Sequence, residues 1–155
     1  MLLYLKISVI LAVVGTALTF VATYGFGTWT AWARGEIFKG RRRHQAEYEM
    51  VYRWHRVCRW LFLVMLCITI VLIETMVRVA GEPFVLTNMH LVHYVLDFSF
   101  IVLLVCALWF NGKRDPDRHK IIIPWLAWNF VGVALTGTYL FIPFMIGHGQ
   151  VCIPY

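Results

Sequence analysis

Residues Ile7–Phe26 read ISVILAVVGTALTFVATYGF, twenty positions without an Asp, Glu, Lys, Arg or His. A helix needs roughly 20 apolar residues to cross the hydrocarbon of a bilayer, so this run is long enough by itself. Three further runs follow: Leu61–Val77, Met89–Phe110 and Ile121–Ile146. The reading is an all-α integral membrane bundle of four transmembrane helices, a single domain over residues 1–155. Within the first run Gly15, Thr19, Thr23 and Gly27 recur every four residues. Small residues on one helix face allow a neighbouring backbone to approach closely.

Composition agrees. Of 155 residues, 61% are hydrophobic and 14% charged, and the mean hydropathy is +0.72. Soluble domains run at about 45–50% apolar and about 25% charged, so a soluble globular domain is excluded. Disorder, which needs low hydrophobicity and high charge, is excluded too. The formal charge of +6 has no nucleic-acid motif beside it, so no nucleic-acid partner is expected.

The basic residues set a topology. The polar stretch 28–59 carries Arg34, Lys39, Arg41, Arg42, Arg43, Arg53, Arg56 and Arg59, and the loop 111–120 carries Lys113, Arg114, Arg118 and Lys120. Only Lys6 and Arg78 lie on the other side. Cytoplasmic loops are enriched in Lys and Arg, so both basic loops are expected in the cytoplasm and both termini on the non-cytoplasmic side of a bacterial or archaeal cytoplasmic membrane. A single early cation, Lys6, and no small-residue cleavage site make an uncleaved first helix the expectation. From Arg41 onward the first polar stretch has helical spacing and runs toward the second span. Trp54 and Trp60 fit an interfacial belt. Pro124 fits the first turn of the fourth span, and Pro143 is placed to kink or end it. Cys58, Cys67, Cys106 and Cys152 form no C-x-x-C pair, so no disulfide framework is implied.

Ionisable groups inside a bilayer cost about 2.5–3.5 kcal/mol each near a helix centre, which makes them the first candidates for function. Glu74 and Asp97 qualify. The third span opens MHLVHYVLD, and His90, His93 and Asp97 fall on one helical stripe of about 60°. With Glu74 from the second span they make a candidate transition-metal site, copper favoured, since imidazole suits copper, zinc and iron. His148 and Cys152 on the tail are candidate extra ligands. Met76, Met89 and Met145 are either soft Cu(I) donors or core filler. The bland alternatives are a Glu74–Arg78 pair at i, i+4 and an Asp97 that only fixes helix packing. A proton-handling role for the stripe is a third reading.

A second constellation lies at the cytoplasmic edge. His55 precedes the second span and His119 the fourth, a candidate pair of axial ligands for haem b. Arg56, Arg59 and Arg118 would then pair with propionates. The alternative is two wet interfacial histidines among arginines that contact anionic lipid. His44 reads as solvated, and Asn129 as interhelical glue.

His55-Arg56 opening the second span, His90 opening the third, and the segment RDPDRHKIIIPWLAWNFVGVALTGTYL at 114–140 together carry a resemblance. Over about Arg53–Phe141 the chain resembles the YozB-like family of small four-helix membrane proteins, some of which are implicated in haem–copper oxidase maturation. The resemblance rests on Arg114, His119, Pro124, Trp125 and the Thr136-Gly137 pair within that segment. It implies a metal or haem role inherited by His55, His90 and His119. The family carries a histidine near the end of the second span; here IETMVRVAG at 73–81 has Glu74 and none.

The expected function is an accessory subunit or assembly factor of a membrane redox complex, holding a transition metal or haem and not catalytic by itself. Its partners would be the lipid bilayer and other membrane subunits. The alternatives are a cofactor-free structural subunit, and a cofactor-containing subunit of a membrane oxidoreductase such as a b-type cytochrome or copper monooxygenase.

Overall fold

The computed structural model describes residues 2–80, 87–113 and 116–146, almost all of them helical. In chain order α1 is Leu2–Phe38, a 3₁₀ turn is Arg42–His44, α2 is Gln45–Ala80, α3 is Asn88–Gly112 and α4 is Pro116–Ile146. All four helices are long and apolar enough to cross a membrane. The chain divides into two compact units, Met1–Glu82 and Pro83–Tyr155. The first is the α1–α2 hairpin and the second the α3–α4 hairpin.

In the first hairpin, Gly15 lies against Met65, Phe20 against Phe62 and Phe26 against Trp54. The partner numbers fall as the α1 numbers rise, so the helices are antiparallel. Val9, Val51 and Met76 are wholly buried between them. Met76 is thus core filler here, as a flexible thioether commonly is. Thr16 and Thr69 meet across the seam at 2.8 Å. Thr19 and Thr23 return their hydroxyl protons to the Gly15 and Thr19 carbonyls of their own helix, the usual behaviour of Thr inside a helix.

The polar stretch 28–59 is mostly helix, not loop. At 1.5 Å per residue α1 is about 55 Å long, against a hydrocarbon thickness of about 30 Å. Hydropathy marks the part of a helix suited to lipid; it is blind to the polar turns that continue it. Those turns are held by side chains. Trp29 Nε1 donates to Glu47 at 2.8 Å, and Trp32 stands edge-on to the His44 ring at 5.3 Å. Helix α1 ends in a Schellman turn: Arg41 N–H bonds the Glu36 carbonyl and Gly40 N–H the Ile37 carbonyl. That turn needs a left-handed residue, and Gly40 supplies it at φ +82°.

In the second hairpin Leu96 packs on Gly132 and Phe100 on Phe130, ring centroids 5.7 Å apart. His119, early in α4, reaches the Ala107 carbonyl late in α3, so this pair is also antiparallel. Helix α3 begins with a capping box built by Thr87 and His90. Helix α4 begins at Pro116 with Asp117 in its first turn. A ring without an N–H suits the first helical position, and an acid there complements the helix dipole. Pro124 is therefore two turns inside the helix and not in its first turn, and α4 also continues past Pro143.

Candidate functional site

The histidines sort by what Nδ1 touches. His55 Nδ1 lies 3.0 Å from the Thr23 carbonyl oxygen, and His119 Nδ1 lies 3.0 Å from that of Ala107. A carbonyl only accepts. Both rings must therefore carry the proton on Nδ1, which places the lone pair of the neutral ring on Nε2. Metal-ligating histidines are usually held this way, with the second nitrogen donating to a carbonyl or carboxylate. His55 also packs face to backbone on α1: a Cβ at Gly27 would lie 3.1 Å from its Cε1.

His90 is the opposite case. The Thr87 backbone N–H donates to His90 Nδ1 at 3.2 Å, while His90 N–H donates to Thr87 Oγ1 at 3.4 Å. The capping box uses the Nδ1 lone pair, and the ring proton of the neutral form sits on Nε2. In this conformation a neutral His90 has no second lone pair to give a metal.

Of the expected outer stripe, the second hairpin brings two members together. His93 Nε2 and Asp97 Oδ2 are 3.4 Å apart, with side chains 21% and 39% exposed. On its other edge His93 Nδ1 meets Thr136 Oγ1 at 2.7 Å. The ring lies over Gly137, where a Cβ would come within 3.0 Å of Cε1. Glu74 belongs to the first hairpin, is exposed, and pairs with Arg78 at 2.7 Å. Among the described residues no group of three or more His, Cys, Asp or Glu is placed to hold a metal. His148 and Cys152 lie outside the described residues, as does the side chain of Met145.

The cations expected to meet propionates lie over aromatic rings. Arg56 sits 5.2 Å from the Tyr52 centroid, Arg59 5.8 Å from Trp60 and Arg118 5.6 Å from Phe110. A guanidinium over a ring can still hydrogen-bond in its own plane, and Arg59 Nε is buried with no acceptor among the described residues. His44 is not solvated: its Nδ1 is 2.8 Å from Glu47 Oε2, with the side chain 17% exposed. Asn129, expected to bridge helices, buries an Oδ1 that has no hydrogen-bond donor among the described residues.

No family model, curated protein or solved structure matches the chain.

Sequence spacing marked every histidine and the His93–Asp97 pair, but not the partners that packing brings in. Thr136 and Gly137 entered only through the resemblance, and Gly27 only as part of a small-residue stripe. A search for Gly or Thr on one apolar run facing a histidine on the next would have found both pairs.

Proposed function

We propose that the chain is an integral membrane accessory subunit or assembly factor of a larger redox complex, taking a haem or transition metal through histidines, with one candidate ligand in each hairpin, His55 in the first and His119 in the second. The observation that carries this reading is the hydrogen bond from each Nδ1 to a backbone carbonyl. It leaves the lone pair of each neutral ring on Nε2, the tautomer that metal- and haem-ligating histidines usually present. The resemblance to the YozB-like family favours the same two residues. When bound, the group would supply one-electron or ligand-binding chemistry; a histidine would hold it, and Arg56 and Arg59, on the same helix as His55, would pair with its carboxylates. Membrane insertion with both termini outside is part of this reading, supported by the four apolar helices and the one-sided cations.

The test is spectroscopic. The protein is purified in mild detergent, with and without added haem b. It is assayed for a Soret band and, by elemental analysis, for copper, iron and zinc. His55→Ala and His119→Ala should each lose the bound group, while His44→Ala retains it. No Soret band and no near-stoichiometric metal in the wild type would remove the cofactor reading.

One observation favours a second reading, a cofactor-free structural subunit. Trp125, Trp128 and Phe98 are 67%, 75% and 70% exposed on the α3–α4 hairpin. Exposed apolar surface on this scale marks contact with lipid or with another subunit.

A further inference from the structure

The contacts of His93 can be followed proton by proton. Thr136 has one hydroxyl hydrogen, and Oγ1 lies 2.8 Å from the Gly132 carbonyl oxygen and 3.3 Å from that of Val133. Both are carbonyls of its own helix, so the hydroxyl donates back to the turn before it. Toward His93, 2.7 Å away, the same oxygen is then an acceptor, and Nδ1 must be the donor. This places the lone pair of a neutral His93 on Nε2. Nε2, however, faces Asp97 Oδ2 at 3.4 Å. Two lone pairs repel at that distance unless a hydrogen lies between them.

The depth of Asp97 points the same way. Asp97 is the tenth residue of α3, about 13 Å along a helix axis that rises 1.5 Å per residue. A lone carboxylate at such a depth in an apolar run is costly, and among the described residues of this hairpin no Lys or Arg stands on the facing stretch of α4 or within ten residues of Asp97 on α3. On α4 the stretch 121–146 contains no Asp, Glu, Lys, Arg or His; its one ionisable side chain is Tyr139. On α3 the neighbouring titratable groups are His90 and Tyr94. The lone pair of His90 is already held by Thr87.

We infer that His93 and Asp97 are a proton-binding site of the second hairpin: the two side chains share one proton along the Nε2–Oδ2 edge and are together electrically neutral. Thr136 sets the direction of the site. By accepting from Nδ1 it turns Nε2, and with it the exchangeable proton, toward Asp97. Gly137 gives the ring the room to sit there. The site does not depend on a cofactor at His55 or His119.

The experiment is solid-state NMR of the full chain, labelled with ¹⁵N at histidine, in phosphatidylcholine bilayers at neutral pH. His93→Gln assigns the His93 signals by their loss. The expected pattern has a directly bonded proton on Nδ1, and an Nε2 signal displaced from the bare-acceptor position toward the protonated one. In Asp97→Ala, Nε2 should return to the bare-acceptor position while Nδ1 keeps its proton. A wild-type spectrum with a bare Nδ1 and the proton on Nε2 overturns the inference, because Asp97 would then be an ordinary ionised acceptor. An Nε2 signal unmoved by Asp97→Ala overturns it as well. Should Asp97→Ala fail to fold, the wild-type pattern decides alone.

Discussion

Gly27 and His55 are in direct register across the α1–α2 seam: a Cβ on residue 27 would stand 3.1 Å from Cε1 and 3.3 Å from Nδ1. That nitrogen also holds the Thr23 carbonyl. One glycine therefore controls both the packing of the ring and the hydrogen bond that sets its tautomer.

Substitution at Gly27 should accordingly differ from substitution at Gly25. Nothing lies within 4 Å of a Cβ at Gly25, so Gly25→Ala removes only the flexibility of glycine and should stabilise by about 0.5–1 kcal/mol. Gly27→Val forces the imidazole to move, and overpacking of this kind costs about 1–3 kcal/mol. Thermal unfolding in detergent gives the two signs. Haem or metal loading should fall in Gly27→Val and remain unchanged in Gly25→Ala.

The buried Thr16–Thr69 bond has a direction. Thr16 donates to the Ala12 carbonyl at 2.9 Å, so in the 2.8 Å contact Thr69 is the donor. Thr69→Val leaves Thr16 still bonded to its own helix. Thr16→Val leaves the buried Thr69 hydroxyl facing a methyl group, and should be the costlier change. Interhelical hydrogen bonds in membranes are worth about 0.6 kcal/mol on average and about 1.7 at most. Equilibrium unfolding of both single variants and the double variant, read as a cycle, should give a coupling within that range; a coupling of zero would mean that the bond contributes nothing to the hairpin.

The four apolar runs were legible because burial in lipid demands length and apolarity, and both are visible residue by residue. The continuation of α1 past Phe26 was not legible, whereas the helical spacing from Arg41 onward already pointed to α2. Between residues 28 and 59, α1 and α2 continue on polar turns fixed by pairs such as Trp29 with Glu47, eighteen residues apart. A similar limit applied at the site. The i, i+4 spacing of His93 and Asp97 could be read directly, since one helix sets it. Thr136, forty-three residues away, is brought in by packing. His90 shows the opposite limit: its ring meets the cap three residues before it, and spacing alone could not separate a cap from a ligand.

The end of α1 yields a third prediction. Glu36 is buried, with Lys39 at 3.0 Å and Arg41 as its second ion-pair partner. Its carbonyl closes the Schellman turn around Gly40. An L-residue in the left-handed conformation costs roughly 1–2 kcal/mol, so Gly40→Ala should destabilise by about that much. Gly35→Ala, with no neighbour within 4 Å, should not. Glu36→Ala should loosen the same turn, seen as faster amide exchange over residues 36–44 and little change at Phe62 or Thr69.

The final prediction concerns sidedness. Twelve of the fourteen Lys and Arg residues lie in the stretches 28–59 and 111–120, and two, Lys6 and Arg78, lie elsewhere. Segments this rich in cations are expected on the cytoplasmic side. In the first hairpin they also sit where the helix ends are polar, with Arg56 and Arg59 laid over Tyr52 and Trp60, the position of an interfacial belt. Single cysteines placed in a background freed of the native ones should report this directly. Arg43→Cys and Lys113→Cys should be protected from a membrane-impermeant maleimide in intact cells and labelled once the membrane is opened; Asn88→Cys should be labelled in both. The reverse pattern would turn the molecule over and place His55 and His119 at the outer face and His93 with Asp97 toward the cytoplasm. A mixed pattern, one hairpin labelled from each side, would mean that the hairpins insert independently.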